Sequence, residues 1–195
     1  MPFPSPYPHP ACQTDDALMA QCEIGFGKTG GPGGQHRNKV QSLVRLVHLP
    51  TGIESHAGER RSQSENRSVA LRRLRLLLAI HMRLPVPIGE IGSALWRSRR
   101  HAAKADDEGG RSPLGRWKGG GTGFIVVNPD HHDYPSLLAE ALDVIAAAGW
   151  DPKPASLRLE CSSSQLVKLI ADHPPALVHM NQERQKLGLR ALKSS

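Results

Sequence analysis

Gly33, Gly34 and Gln35 close a stretch, Gly27 to Gly34, that has five glycines and one proline in eight positions. No regular element survives that composition, because glycine loses the most backbone freedom on ordering and proline lacks a donor. Gly33 and Gly34 admit positive φ and let the main chain approach a ligand with no Cβ in the way. Gln35 brings one side-chain acceptor, two side-chain donors and its backbone N–H, all uncharged. Such a group orients a water or stabilises a developing oxyanion without itself attacking. Gly33-Gly34-Gln35 can act in this way with no protein nucleophile.

Two phosphate-binding motifs overlap this loop, and neither holds. Gly25-Phe-Gly27-Lys-Thr-Gly30 matches GxGxxG, but a dinucleotide site needs the last glycine to open a helix, and here three more glycines and Pro32 follow. Gly27-Lys28-Thr29 resembles the end of a phosphate loop, yet the glycine required five positions earlier is Cys22. Cys12, Cys22 and Cys161 form no CxxC pair and no even disulfide framework, which points to a reducing interior and excludes zinc ribbons. His131-His132 has no third ligand at a recognisable spacing, so no metal and no cofactor are expected.

The elements that must hold the loop are written around it. Leu18 to Phe26 reads as a strand. Ser42 to His48 alternates and runs into Pro50-Thr51-Gly52, a turn that returns the chain through Ile53 to Ala57, so a hairpin is expected. Ser62-Gln-Ser-Glu65 fits a capping box, and Val69, Leu71, Leu74, Leu77 and Leu78 keep helical spacing through about Ile80, with Arg72, Arg73 and Arg75 largely outside the stripe. Further on, Ile125 to Val127 reads as a short strand, and Leu137 to Ile145 as a helix closed by Gly149. Pro152 to Leu159, Ser162 to Asp172, and the stretch from Pro174 to Leu187 supply three more helices. The pair over 152–172 has helix-turn-helix lengths, but its apolar stripe favours an ordinary bundle.

Charge divides the chain. It carries 25 Lys and Arg against 18 Asp and Glu, a formal +7, with a pI near 9.7, which points toward polyanionic partners. Residues 1–120 hold 18 of the basic and 10 of the acidic side chains, whereas 121–195 hold 7 and 8, so the basic partner surface belongs to the first part. No stretch approaches the roughly 20 apolar residues of a membrane span. The first basic residue is Lys28, so no targeting leader is expected and a cytoplasmic location follows. The domains predicted are a disordered Pro-rich arm over 1–14, an α/β unit over 15–82, a Gly/Arg-rich linker over 83–123 with the run Trp96, Arg97, Arg99, Arg100, and a helical module over 124–195.

Three segments, Thr29 to Lys39, His48 to Ile53 and Glu59 to Arg67, stand in an order and spacing that closely resemble the catalytic domain of class I peptide chain release factors and of the related ribosome-rescue hydrolases. The resemblance covers about Leu18 to Ile80 and is closest to the stand-alone, codon-independent rescue enzymes. It implies an α+β fold, with a few-stranded antiparallel sheet and a long helix in this domain, ahead of the linker and the helical module. It also implies peptidyl-tRNA hydrolase activity expressed on the ribosome: Gly33-Gly34-Gln35 enters the peptidyl transferase centre, and Gln35 places the water that cleaves the ester of P-site peptidyl-tRNA. His36, Arg37, Asn38, Lys39, Arg60, Ser62, Gln63, Asn66 and Arg67 are then the expected ribosomal RNA contacts. Release factors usually carry Val or Ile where Arg37 stands and a small residue where Leu43 stands.

Partners implied are the ribosome and P-site peptidyl-tRNA, with no membrane and a monomeric chain. The loop already stands at position 33, leaving no room before it for stop-codon-reading domains, and this is what implies codon independence. Residues 176–195 hold only four basic side chains. Anchoring therefore falls to Arg97–Lys118, to the helical module or to another protein. The alternative from a different class is a non-catalytic ribosome- or RNA-binding protein that retains the fold.

Overall fold

Thr14 opens the ordered chemistry of the first part: its hydroxyl accepts from Ala17 N at 3.3 Å and caps a short helix, α1 (Asp15–Met19), with Asp15 and Asp16 against the positive end of the helix. The computed structural model describes residues 7–28, 41–86, 92–101, 111–112, 115–116 and 123–193. Leu18, predicted to start a strand, lies in α1, and the strand is Cys22–Gly27 (β1). The Thr-Asp-Asp cap outweighs the apolar run. β2 (Leu43–His48) and β3 (Glu54–Ala57) follow as the expected hairpin, with Gly52 at φ 70° in its turn. The three strands form an antiparallel meander in the order β1-β2-β3.

Alternation decides the faces. Val44, Leu46, Ser55 and Ala57 point inward, and the 19-residue helix α2 (Gln63–His81) packs on them with Ala70, Leu71, Leu74 and Leu78. Ser62 caps α2 through Glu65 N, as the capping box predicts.

The arm expected to be disordered is packed from Tyr7 onward. Pro10–Cys12 is a turn of 3₁₀ helix; Tyr7 and His9, each between two prolines, are buried, and so is Ala11. Tyr7 Oη donates to Asp143 Oδ2 at 2.7 Å, Ala11 N donates to His9 Nδ1 at 3.0 Å, and Arg75 donates to Ala11 O at 2.9 Å. A proline at every second position removes donors that would otherwise need partners, so burial there costs little.

The predicted linker contains α3 (Ala94–Arg99), capped by Ser93, and a two-residue strand β4 (Arg100–His101). Arg111–Ser112 (β5) pairs with Gly115–Arg116 (β6), and Phe124–Ile125 (β7) pairs with β4. Beyond them lie α4 (Tyr134–Ala147), α5 (Pro152–Arg158), α6 (Ser163–Ala171) and α7 (Pro174–Lys186). Gly149 stands at φ 67° just past α4, the left-handed residue that ends a helix.

α4 is buried on nearly every side because it lies between α2 and the helices α5 and α6. One apolar cluster runs from Leu18 and Leu46 through Leu74 and Leu78 to Leu138, Leu142, Ile170 and Met180. The predicted boundaries at 82 and 124 are thus not breaks in packing.

Candidate functional site

The loop that carries Gly33-Gly34-Gln35 is held by its two legs. Gly27 and Leu43 are the last ladder pair of β1 and β2, so residues 28–42 leave and return at adjacent positions. A Cβ on Gly27 would lie 3.0 Å from Leu43 Cδ2, so the glycine makes room for the leucine across the ladder. Gly33, Gly34, Gln35, His36, Arg37, Asn38 and Lys39 lie outside the described residues.

The returning leg is tied to the start of α2. Asn66 is fully buried, and its amide serves three main-chain groups: Nδ2 donates to Ser42 O at 2.7 Å and to Arg60 O at 2.9 Å, while Oδ1 accepts from Arg60 N at 2.9 Å. Gln63 Nε2 donates to Gln41 O at 3.0 Å. Of the RNA contacts expected in this segment, Asn66 therefore presents no surface, and Gln63 is engaged with the loop's own backbone. Ser62 is exposed, and its hydroxyl accepts from Glu65 N. An asparagine in the first turns of a helix is a poor helix former that competes for backbone partners. That was the available signal for this web.

Arg60 and Arg67 are exposed beside it, and so is Arg61, which the sequence pattern did not single out. Among the described residues none of the three has an ion-pair partner. The neighbouring cations are engaged: Arg45 pairs with Glu54 and Arg73 with Glu59. The Arg73 hydrogen bond holds the Glu59 carboxyl below its usual range.

At the end of the sheet away from the loop His48 is buried between Thr51 Oγ1, 2.8 Å from Nδ1, and Gln21 Oε1, 3.1 Å from Nε2, and burial lowers its pKa. It fixes the hairpin turn to the chain entering β1, a structural duty for the His48 to Ile53 segment.

The other candidates are engaged structurally. Trp96 is 1% exposed and donates its indole N–H to Leu159 O at 3.0 Å, so it presents no face for a base. Arg97 donates to Gly92 O, Arg99 pairs with Asp133 and Arg100 with Glu160. Asp133 joins His131 and His132 as a third potential ligand, all three ligand atoms lying within 4.8 Å of one another. Arg99 already places Nε 3.1 Å and Nη2 2.5 Å from Asp133 Oδ2, with Nη2 also 3.3 Å from His131 Nε2. A guanidinium in that position repels a cation and satisfies the carboxylate.

Residues 16–86 match the family model described as the RF-1 domain. Peptide chain release factor 1 of Symbiobacterium thermophilum is 54% identical over 57 residues, 29% of this chain and 16% of that protein. Peptide chain release factor 2 of Variovorax paradoxus is 52% identical over 54 residues, 28% of this chain and 15% of its own length. The mouse peptide chain release factor 1-like, mitochondrial protein is 48% identical over 56 residues, 28% of this chain and 15% of its own. The matched segment is similar to the catalytic domain of class I release factors, and it spans about a sixth of these relatives.

Proposed function

We propose that this chain is a ribosome-dependent release or rescue factor that hydrolyses the ester of P-site peptidyl-tRNA, independently of the codon. The observation that carries this reading is one of counting along the chain. Fifteen residues, 28–42, separate the last ladder pair, and Gln35 is the eighth, with seven residues on each leg. The midpoint is the position of greatest reach, up to about 25 Å from the strand ends. A tripeptide that opens with two glycines suits a confined RNA chamber, where a Cβ at Gly33 or Gly34 would narrow the fit.

In this mechanism Gln35 orients the attacking water with its side-chain amide, and its backbone N–H stabilises the leaving 3′-oxygen. Arg60, Arg61 and Arg67 neutralise ribosomal RNA phosphates near the base of the loop, which fixes position without reading sequence. The similarity of residues 16–86 to the RF-1 domain supports the assignment of this loop to that chemistry.

Peptide release from ribosomes carrying initiator peptidyl-tRNA tests the proposal, on mRNA ending at the P site or continuing into sense or stop codons. Release on truncated mRNA, without dependence on a stop codon, is expected. Release only at stop codons contradicts codon independence, and ribosome binding without release favours the non-catalytic alternative.

A further inference from the structure

We infer that Asn66 is a positioning residue: its buried amide latches the returning leg of the loop to the start of α2 and so sets where Gln35 is delivered. The inference rests on the release-factor reading for its kinetic consequence, but the latch itself is a matter of geometry. Asn66 joins two segments that no strand pairing connects, the leg ending at Ser42 and the turn at Arg60, through three hydrogen bonds of 2.7 to 2.9 Å. It lies wholly inside the protein, so an RNA contact is not what its amide is doing. Gln63 adds a second tie one residue further up the same leg, at Gln41 O.

A carboxamide is the one small group that supplies two donors and an acceptor at once. A carboxylate of the same size keeps the acceptor for Arg60 N–H but turns both donors into repulsion against two carbonyls. Asn66→Asp is therefore the discriminating substitution, and Gln63→Ala, at an exposed position, is the milder one that leaves folding intact. A displacement of about 1 Å at a reacting group costs on the order of 10² in rate.

The experiment is single-turnover peptide release as a function of factor concentration, with amide hydrogen exchange and thermal melting measured on the same full-length proteins. For Asn66→Asp the expected result is a fall in the saturating release rate of about 10² with the half-saturating concentration little changed, together with faster exchange at residues 41–43. Gln63→Ala is expected to lower the saturating rate less, again without moving half-saturation. A higher half-saturating concentration at an unchanged saturating rate would mean RNA contact and would overturn the latch. So would a lower melting temperature with normal release per folded molecule. If the wild-type protein released no peptide, the proposed function would fall, while unchanged exchange at 41–43 in both variants would separately remove the latch.

Discussion

The surface around the start of α2 and the interior around α4 handle charge in opposite ways. Near the loop, Arg60, Arg61 and Arg67 are exposed with no ion-pair partner among the described residues, while the buried amide of Asn66 is fully satisfied by backbone. Around α4 the charges are buried and spoken for. Asp143 accepts from Tyr7, Arg83 and Leu84 N, and Glu140 accepts from both the N–H and the hydroxyl of Ser93 at 2.6 Å. Two of the tail's four cations are engaged as well, with Arg184 hydrogen-bonded to Trp150 O and Arg190 O and Lys186 to Glu183. Unpaired surface cations keep their charge available to a polyanion, whereas satisfied buried ones hold elements in register. The first region leaves its charges exposed, and the second uses them to hold the fold together.

The largest effect expected on the support side comes from Trp96→Ala. It empties a site that is 1% exposed and orphans Leu159 O, which should cost about 3–5 kcal/mol in chemical denaturation while leaving release per folded molecule unchanged. Loss of release in step with neither stability nor folded fraction would blur the two regions.

In the first region, replacing Arg60, Arg61 and Arg67 together by Ala should lower the slope of log affinity for ribosomes against log salt by about 2, at about 0.7 per lost phosphate contact. Melting should barely move. An unchanged slope would show that these arginines are ordinary solvated surface.

A pH scan sharpens the comparison. Burial pushes the Asp143 carboxyl up to about 6 despite Arg83 and Tyr7, so its contribution to stability is full below its ordinary value and is lost as pH rises through 6. Burial pulls the His9 imidazole down to about 4, so its contribution is present above its ordinary value near 6.5 and is lost as pH falls through 4. The two oppose each other across the same window. Asp143→Asn removes one of them, so the melting temperature of the variant relative to wild type should climb between pH 4 and 6. A constant offset would mean that Asp143 titrates at its ordinary value. The smallest effect belongs to Arg45 and Glu54, whose pair is more than half exposed, and Glu54→Ala should cost at most about 1 kcal/mol in denaturant melts.

What could be read in advance was what local chemistry controls. The Ser62 and Ser162 caps, the Pro50-Thr51-Gly52 turn and the Gly149 stop each depend on residues within a few positions, and each stands where expected. The burial of Tyr7 and His9 depends on Asp143 and Met82, more than seventy positions away, and composition alone made that arm look solvated. Trp96 is a similar case, since its partner is Leu159. Asn66 stood among the expected site residues but with another duty, because a side chain that bonds RNA and one that bonds its own backbone have the same type and the same place in a pattern. Burial tells them apart.

The central claim is that Gln35, at the midpoint of an anchored loop, directs water onto an ester. Single-turnover peptide release by wild-type protein and Gln35→Ala on ribosomes with truncated mRNA tests it most directly. A loss on the order of 10²–10³ in the saturating rate is expected, with ribosome binding and melting temperature unchanged. Equal rates for the two proteins would contradict it.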